Sequence, residues 1–474
     1  MSTTPKFRIA ICGGGVGGLT LAVALSRYPD IVVDVYEAAQ SFYEVGAGFG
    51  IWPRAFKVLR NFGPDFERQL LQRCGSEYTE KYVPAIKFRK SDQPVGIDLF
   101  YLMTKGNQLR IHRADFHGIL LSHLPPSCTT HNAKRLKSYT QPFNGRSRNS
   151  PITLTFGDGS TATCDVLIGA DGIRSAVRSC MMRELAEGMH PNEKQSVLSC
   201  INPVWSGATA YRTLISAEKL RTRCPNHSVF RGGITQYMGK DAVRLSLNHD
   251  IHCAEADALQ FFLVYTISRG KYINFAGFTL QPDLVDTAYE ADARIPRRSF
   301  QGKANHEWVG ELTAEQFVEP FKDFEEDAKV LLECVDRGTL WAVHTVKTLP
   351  STNFGRVALL GDAAHGMLPF QGAGAGLSIE DAYLLATVLG HKSTTLAMVP
   401  RALAIYDKLR RPFSSDVAMR SRLCGQLYTF QKAVPLHEFG NTITKNSEWA
   451  WLTELDDALE EAIKLVEDSS INIR

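Results

Sequence analysis

The first forty residues leave this chain little choice in how it begins to fold. Arg8-Ile-Ala-Ile-Cys12 is a short apolar run. Glycines 13–18 follow at once, Leu19–Ser26 has the composition of a helix, and Ile31–Tyr36 is a second β-type run. Strand, glycine turn, helix and strand make the unit that builds a parallel sheet. Gly13, Gly15 and Gly18 fall in the GxGxxG pattern. The first glycine permits the tight turn, the second lets the backbone approach a pyrophosphate, and the third lets the helix pack on the strand. The helix N-terminus then presents free N–H groups and a positive dipole end. Glu37 closes the second strand, where a carboxylate accepts hydrogen bonds from ribose hydroxyls and repels a 2′-phosphate. This half-site suits FAD or NAD rather than NADP.

Two later segments extend the pattern. Val166–Gly169 reads as a strand returning to the first sheet, followed by Asp171-Gly172. Arg356–Leu360 reads as a buried strand, followed by Gly361-Asp362. A carboxylate at a strand end can bind a polyol hydroxyl. Gly372, Gly374 and Ala375 lead into a helix over 377–389 and offer backbone N–H groups to an anion. The N1–C2=O side of a reduced flavin is such an anion. An ordinary turn at Asp171 and a glycine-rich helix cap at Gly372 remain open as alternatives.

Elsewhere, a helix is expected over 55–62, ended by Gly63-Pro64. Another is expected over 110–124, opening near Asp115, with Arg113 placed to clamp a phosphate or ribose. Ile152–Phe156 before Gly157-Asp-Gly reads as a hairpin, and 144–149 as a polar loop. Short β-type runs fill 198–300, at 207–215, 262–267 and 272–278. Residues 316–336 and most of the chain beyond 377 read as helical. The expected fold is therefore α/β: a discontinuous Rossmann-type FAD-binding domain, an inserted antiparallel β-sheet substrate domain and a helical C-terminal region. The expected boundaries are 1–197, 198–305, 306–395 and 396–474.

The 474 residues exceed one ordinary core, and a net charge of +3 is too small to favour nucleic acid or an anionic membrane. No apolar run approaches the roughly 18–20 residues of a membrane span. The N-terminus carries no signal-peptide core. Ten cysteines without CxxC or Cys/His metal spacing read as free thiols in the cytoplasm, with no metal site. His249 and His252 lack further ligands.

Gly13–Gly18 with Glu37, then Asp171-Gly172, then Gly361-Asp362 resemble, in order and spacing, the three signatures of class A flavoprotein aromatic hydroxylases. The resemblance is to the salicylate hydroxylase-like subgroup, which includes fungal phenol-oxidising enzymes, and covers roughly residues 6–425. It implies that Asp362 contacts the FAD ribityl chain. It implies that Asp171-Gly172 serves both FAD and a nicotinamide cofactor, and that Glu37, Gly50, Arg113 and Ala375 line the FAD. There is no second GxGxxG. By the same resemblance, NADH or NADPH reduces the flavin, O2 gives a C4a-hydroperoxide, and a small phenol attacks it. With a salicylate- or hydroxybenzoate-type acid, CO2 can be lost.

The resemblance also points to Arg212 and Tyr265 as substrate residues. A guanidinium can hold a carboxylate bidentately and lower a phenol's pKa. A structural ion pair for Arg212 and a core role for Tyr265 stay open. His365 is expected to pack structurally, and Pro369, Phe370 and Gln371 to roof the flavin ring. Pro53-Arg54 stands where many relatives have Pro-Asn, which reads as an added charge at the flavin entrance or a surface arginine. The stretch 243–260 reads as an inserted loop or a translated intron. The alternatives are dearomatisation of a polyketide-type phenol, a non-oxygenating flavin dehydrogenase, and an FAD-binding regulatory protein docking through the acidic segment 452–467. A monomer or homodimer is expected.

Overall fold

The computed structural model describes residues 5–42, 48–142, 150–240, 259–287, 289 and 308–468. The polar stretch 144–149, most of 243–260, and His249 and His252 fall outside them.

The glycine-turn unit forms as its sequence requires. Strands Phe7–Cys12 and Ile31–Tyr36 pair in parallel around the helix Val16–Leu25. Val166–Gly169 pairs in parallel with the first strand, and Val357–Leu359 pairs in parallel with Val166–Gly169. Cys128–His131 and Asn353–Phe354 complete a six-stranded sheet. Its central strand is apolar on both faces, because helices cover both. Ile9 and Ile11 join a core with Leu21 and Leu384. Ala10 and Cys12 join another with Met181 and Met182. Gly157-Asp-Gly turns the expected hairpin, Ile152–Phe156 with Thr161–Cys164.

The second sheet has eight strands and is wider than the segment 198–305. Its centre is Val204–Ser216, Tyr272–Leu280, Leu259–Ile267 and Ile234–Lys240. Tyr82–Lys90 and Ile97–Lys105 extend one edge, and Arg337–Thr345 and Val309–Thr313 the other. It is also mixed rather than wholly antiparallel, since 234–240 runs parallel to 82–90. The outlying strands escape sequence reading because solvent wets one of their faces. Tyr82–Lys90 carries Pro84 and three basic residues, and only Phe88 in it is fully buried. Likewise, residues 109–112 are not the start of a helix. They form a strand paired with Gly48–Ile51, and the helix begins at Arg113.

The C-terminal region is helical, with helices Val399–Tyr428, Leu436–Ser447, Trp449–Leu452 and Asp456–Glu467. The last buries Ala462, Leu465 and Val466, so this acidic segment uses its apolar stripe internally. Among the described residues, no helix is long and apolar enough to cross a membrane.

One buried ion network ties these parts together. Glu380 and Asp381 lie side by side in the helix Gly374–Gly390, each no more than 1% exposed. Arg410 of the long helix donates to Asp381 at 2.8 Å and to Glu380 at 2.9 Å. Arg54 donates to Glu380 at 3.0 Å, and His365 is hydrogen-bonded to Asp381. Arg54 is thus neither an entrance charge nor a surface arginine. It is buried, ion-paired and stacked 4.5 Å from the Phe413 ring. Its neighbours in sequence say nothing of Glu380, which arrives from a distant helix.

Removing one partner of such a pair strands a buried charge, at a cost of about 3–5 kcal/mol. Arg410→Met is therefore expected to lower the melting temperature by many degrees. Burial alone would push the Asp381 carboxyl up, but His365 and Arg410 outweigh it and hold it down to about 2. Its pKa is lower folded than unfolded, so its contribution is present above about pH 4 and is lost as pH falls towards 2. Melting curves across that window should show the loss, and Asp381→Asn should flatten it.

Candidate active site

The glycine turn is built to hold something against its backbone. Gly13 has φ +109°, and a Cβ there would lie 2.2 Å from the Ala170 carbonyl oxygen. The turn is thereby locked onto the end of strand 166–169. A Cβ on Gly18 would lie 2.0 Å from the Gly13 oxygen, so helix and turn touch through backbone alone. Gly15 caps the helix and puts no side chain over its N–H groups. An Arg113 terminal nitrogen lies 3.7 Å from where a Gly15 Cβ would stand. Helix end and guanidinium together make a pyrophosphate-sized cationic notch. The Glu37 carboxylate accepts from the Gly14 and Ala39 N–H groups, each at 2.7 Å. These bonds aim it at the turn and leave each oxygen a lone pair for a ribose hydroxyl.

The second half of the notch comes from 361–376. Asp362 is exposed, and its Oδ1 lies 3.9 Å from where a Gly374 Cβ would stand. Gly372, at φ +60°, is exposed, and Gly374 and Ala375 are half-buried. The following 17-residue helix aims its N-terminus out through them. Gln108 fills the space over Gly50, 2.4 Å from where a Cβ would stand, and its Nε2 lies 3.9 Å from where a Gly372 Cβ would stand. The Trp52 indole donates to the Gln371 carbonyl at 2.9 Å. Gly50, Gln108, Trp52 and Gly372 therefore converge beside the helix end. Neither Gln108 nor Trp52 carries a signal in sequence.

Asp171 is used locally. Its carboxylate accepts from the Ser175 hydroxyl and from the N–H groups of Ala176 (2.7 Å) and Val177 (3.1 Å), capping the helix Ala176–Leu185. Burial pushes its carboxyl pKa up. What this segment offers a cofactor is Gly172, at φ +74°, with open space where a Cβ would stand.

The eight-stranded sheet turns one face towards this notch. Cross-strand register sets its side chains in rows. Ala210, Phe278, Phe261 and Met238 make an apolar row. Phe370 of the flavin-side loop stands edge-on to Phe261 and Phe278, at 5.1 and 5.2 Å. The next row is Arg212, Ala276, Leu263 and Gln236. Gln236 is 3% exposed, and its Nε2 has no partner among the described residues. Tyr265 and Asn274 begin the row beyond. This face thus passes from a closed apolar core to the half-exposed Arg212, Ala276 and Leu263.

Arg212 has no carboxylate in ion-pair range among the described residues; it lies 5.9 Å from the Trp341 ring. Burial pushes its guanidinium below the usual value, against the raising effect of Tyr265, and Arg113 lowers it further. Burial pushes the Tyr265 phenol up, while Arg110 and Arg212 pull it down. Arg212 and Tyr265, paired on sequence, do meet here.

Comparison with known proteins agrees with this geometry. Residues 6–230 and 292–421 match a family described as an FAD binding domain. The chain is 33% identical over 500 residues to an FAD-dependent monooxygenase of Strobilurus tenacellus, covering 99% of both chains. It is 33% identical over 463 residues to a salicylate hydroxylase of Pseudomonas putida, covering 96% of this chain and 94% of the relative. The chain belongs to the salicylate hydroxylase-like FAD-dependent monooxygenases. The solved structure of a salicylate hydroxylase substrate complex superposes on this monooxygenase with a TM-score of 0.76 at 27% identity, over 98% of this chain and 99% of the other. A 6-methylsalicylate 1-monooxygenase of Aspergillus terreus is 27% identical over 474 residues, 99% of this chain and 94% of the relative.

The glycines that a Cβ would overfill and the carboxylates at both strand ends fit FAD. Gly13→Ala is expected to yield protein with little bound flavin and reduced thermal stability, since φ +109° and the Ala170 carbonyl both exclude a methyl. Asp362→Asn removes an exposed charge. It should leave the melting temperature of the apoprotein unchanged while weakening FAD binding about tenfold or more. Flavin absorbance per mole of protein measures both.

Proposed function

We propose that this monooxygenase hydroxylates a small aromatic acid, a phenol bearing a carboxylate, with NADH or NADPH as reductant and O2 as oxidant. The observation that carries this reading is Arg212: a half-buried guanidinium with no carboxylate partner among the described residues, set where the aromatic core under the flavin-side loop ends. The names of its relatives, salicylate hydroxylase and 6-methylsalicylate 1-monooxygenase, support it.

When bound, FAD supplies hydride acceptance and O2 activation. The chain's residues supply the rest. Ala276 and Leu263, the half-exposed residues of the row that holds Arg212, border the ring of the substrate. Arg212 binds its anionic oxygen and favours the ionised phenol, which is the electron-rich form. Tyr265 borders the same end. Phe370 and Trp52 close the apolar side against water. One oxygen of O2 enters the ring, the other leaves as water, and NAD(P)H provides the two electrons. When attack falls on the carboxyl-bearing carbon, CO2 departs and a catechol remains. The described cysteines are all free thiols, in keeping with a cytoplasmic enzyme.

The test is NADH and NADPH oxidation by the FAD-loaded enzyme against a panel of hydroxybenzoates, with labelled O2 and a CO2 trap. One acid is expected to stimulate oxidation at least about tenfold and to acquire one labelled oxygen. Arg212→Met should raise the KM for that acid by about 10- to 100-fold, the loss of a charge-assisted hydrogen bond. Absence of stimulation by every phenol in the panel sinks the reading.

A further inference from the structure

Arg110 is the second arginine that acts on the Tyr265 phenol. It lies on the ribbon formed by strands 109–112 and 48–51. On one face of that ribbon, Leu109 and Ile111 enter the core of the FAD-binding domain. Arg110 and His112 therefore project from the other face. Their register partners on that face are Gly50 and Gly48, and the Gln108 side chain packs over Gly50. The Arg110 guanidinium carbon lies 5.4 Å from the centre of the Tyr265 ring.

Arg110 is thus held at the polar end of the sheet, beside Tyr265 and with Arg212 acting on the same phenol. Among the described residues it has no carboxylate in ion-pair range. Burial pushes its guanidinium below the usual value, and Tyr265 opposes this. A half-buried guanidinium whose neighbour is a neutral phenol ring keeps its N–H donors for an anion, which a ligand can supply. Arg113 stands at Gly15, the pyrophosphate end of the notch, whereas Arg110 stands at Tyr265. The anion that Arg110 awaits therefore belongs to the substrate rather than to the cofactor.

We propose that Arg110 is a second anion-binding residue of the substrate pocket, and that with Arg212 it selects aromatic substrates bearing two anionic oxygen groups, a carboxylate and a phenolate, over neutral phenols. This rests on the aromatic-acid hydroxylation proposed above. Two guanidiniums on one small ring can engage the carboxylate and the phenolate separately, which one guanidinium cannot.

The test titrates FAD-loaded wild type, Arg110→Met and Arg110→Lys with salicylate and with its neutral isostere 2-hydroxybenzamide, following the flavin absorbance. Arg110→Met is expected to weaken salicylate binding about 10- to 100-fold and to change 2-hydroxybenzamide binding less than about threefold. Arg110→Lys should restore part of the loss. FAD content should equal that of wild type. The ligand-free melting temperature of Arg110→Met should stay level, because the half-buried guanidinium has no ion pair to lose among the described residues. Salicylate should raise the melting temperature of wild type far more than that of the variant.

Equal weakening for both ligands overturns the proposal. So does flavin loss in Arg110→Met, which assigns the residue to the cofactor. A fall in the ligand-free melting temperature, or failure to fold, assigns it to structure and overturns the proposal as well. If wild type is stimulated only by neutral phenols, the Arg110 assignment fails while hydroxylation stands. If no phenol stimulates NAD(P)H oxidation, the hydroxylation reading fails by itself, and the titrations still decide Arg110.

Discussion

Two carboxylates buried side by side, Glu380 and Asp381, are the constraint on which the rest of the molecule is hung. Left alone they would repel each other and forfeit their hydration, at several kcal/mol per ion. They are tolerated because Arg54, Arg410 and His365 reach them from three other segments. Satisfying those charges forces the helices 53–60, 374–390 and 399–428 and the short turn 362–365 into one arrangement. That arrangement sets Trp52 beside Gln371 and aims the N-terminus of helix 374–390 at the flavin side of the notch.

The contrast with the active site is one of charge balance. In the network every buried cation has its anion. Across the notch, Arg110 and Arg212 are half-buried, both act on the Tyr265 phenol, and neither has a carboxylate in range among the described residues. The same physics that makes the network stabilising makes this end costly when empty. A site of this kind gains most when an anion enters it, and so binding and selection draw on one source of energy. The aromatic core of Phe261 and Phe278 packs against Phe370 and so joins the sheet to the loop that carries Gly372.

Much of the cofactor half is legible without coordinates. Gly13, Gly15, Gly18, Glu37, Asp362 and Gly372 each act through backbone geometry or a strand end a few residues away, and such features are written locally. Asp171 shows the limit of local reading. Asp-Gly is visible, but whether its carboxylate serves a cofactor or a helix end depends on Ser175, Ala176 and Val177 taking up a cap. The strands at 82–105 and 109–112 were hidden for a different reason. One pair is solvated on a face, and the other is only four residues long and runs straight into a helix.

What the sequence by itself determined was the class of the chain: a dinucleotide turn, a flavin-side loop and the inserted β-rich segment between them. Short-range backbone rules govern all three. What only the tertiary structure decided was the fate of each arginine. Arg54 meets a carboxylate from a helix more than three hundred residues away in sequence and becomes structural. Arg110 reaches Tyr265 from 155 residues away in sequence, Arg212 acts on it from the same sheet, and both remain available. A charge is defined by what lies within a few ångströms of it, and the sequence does not record that distance.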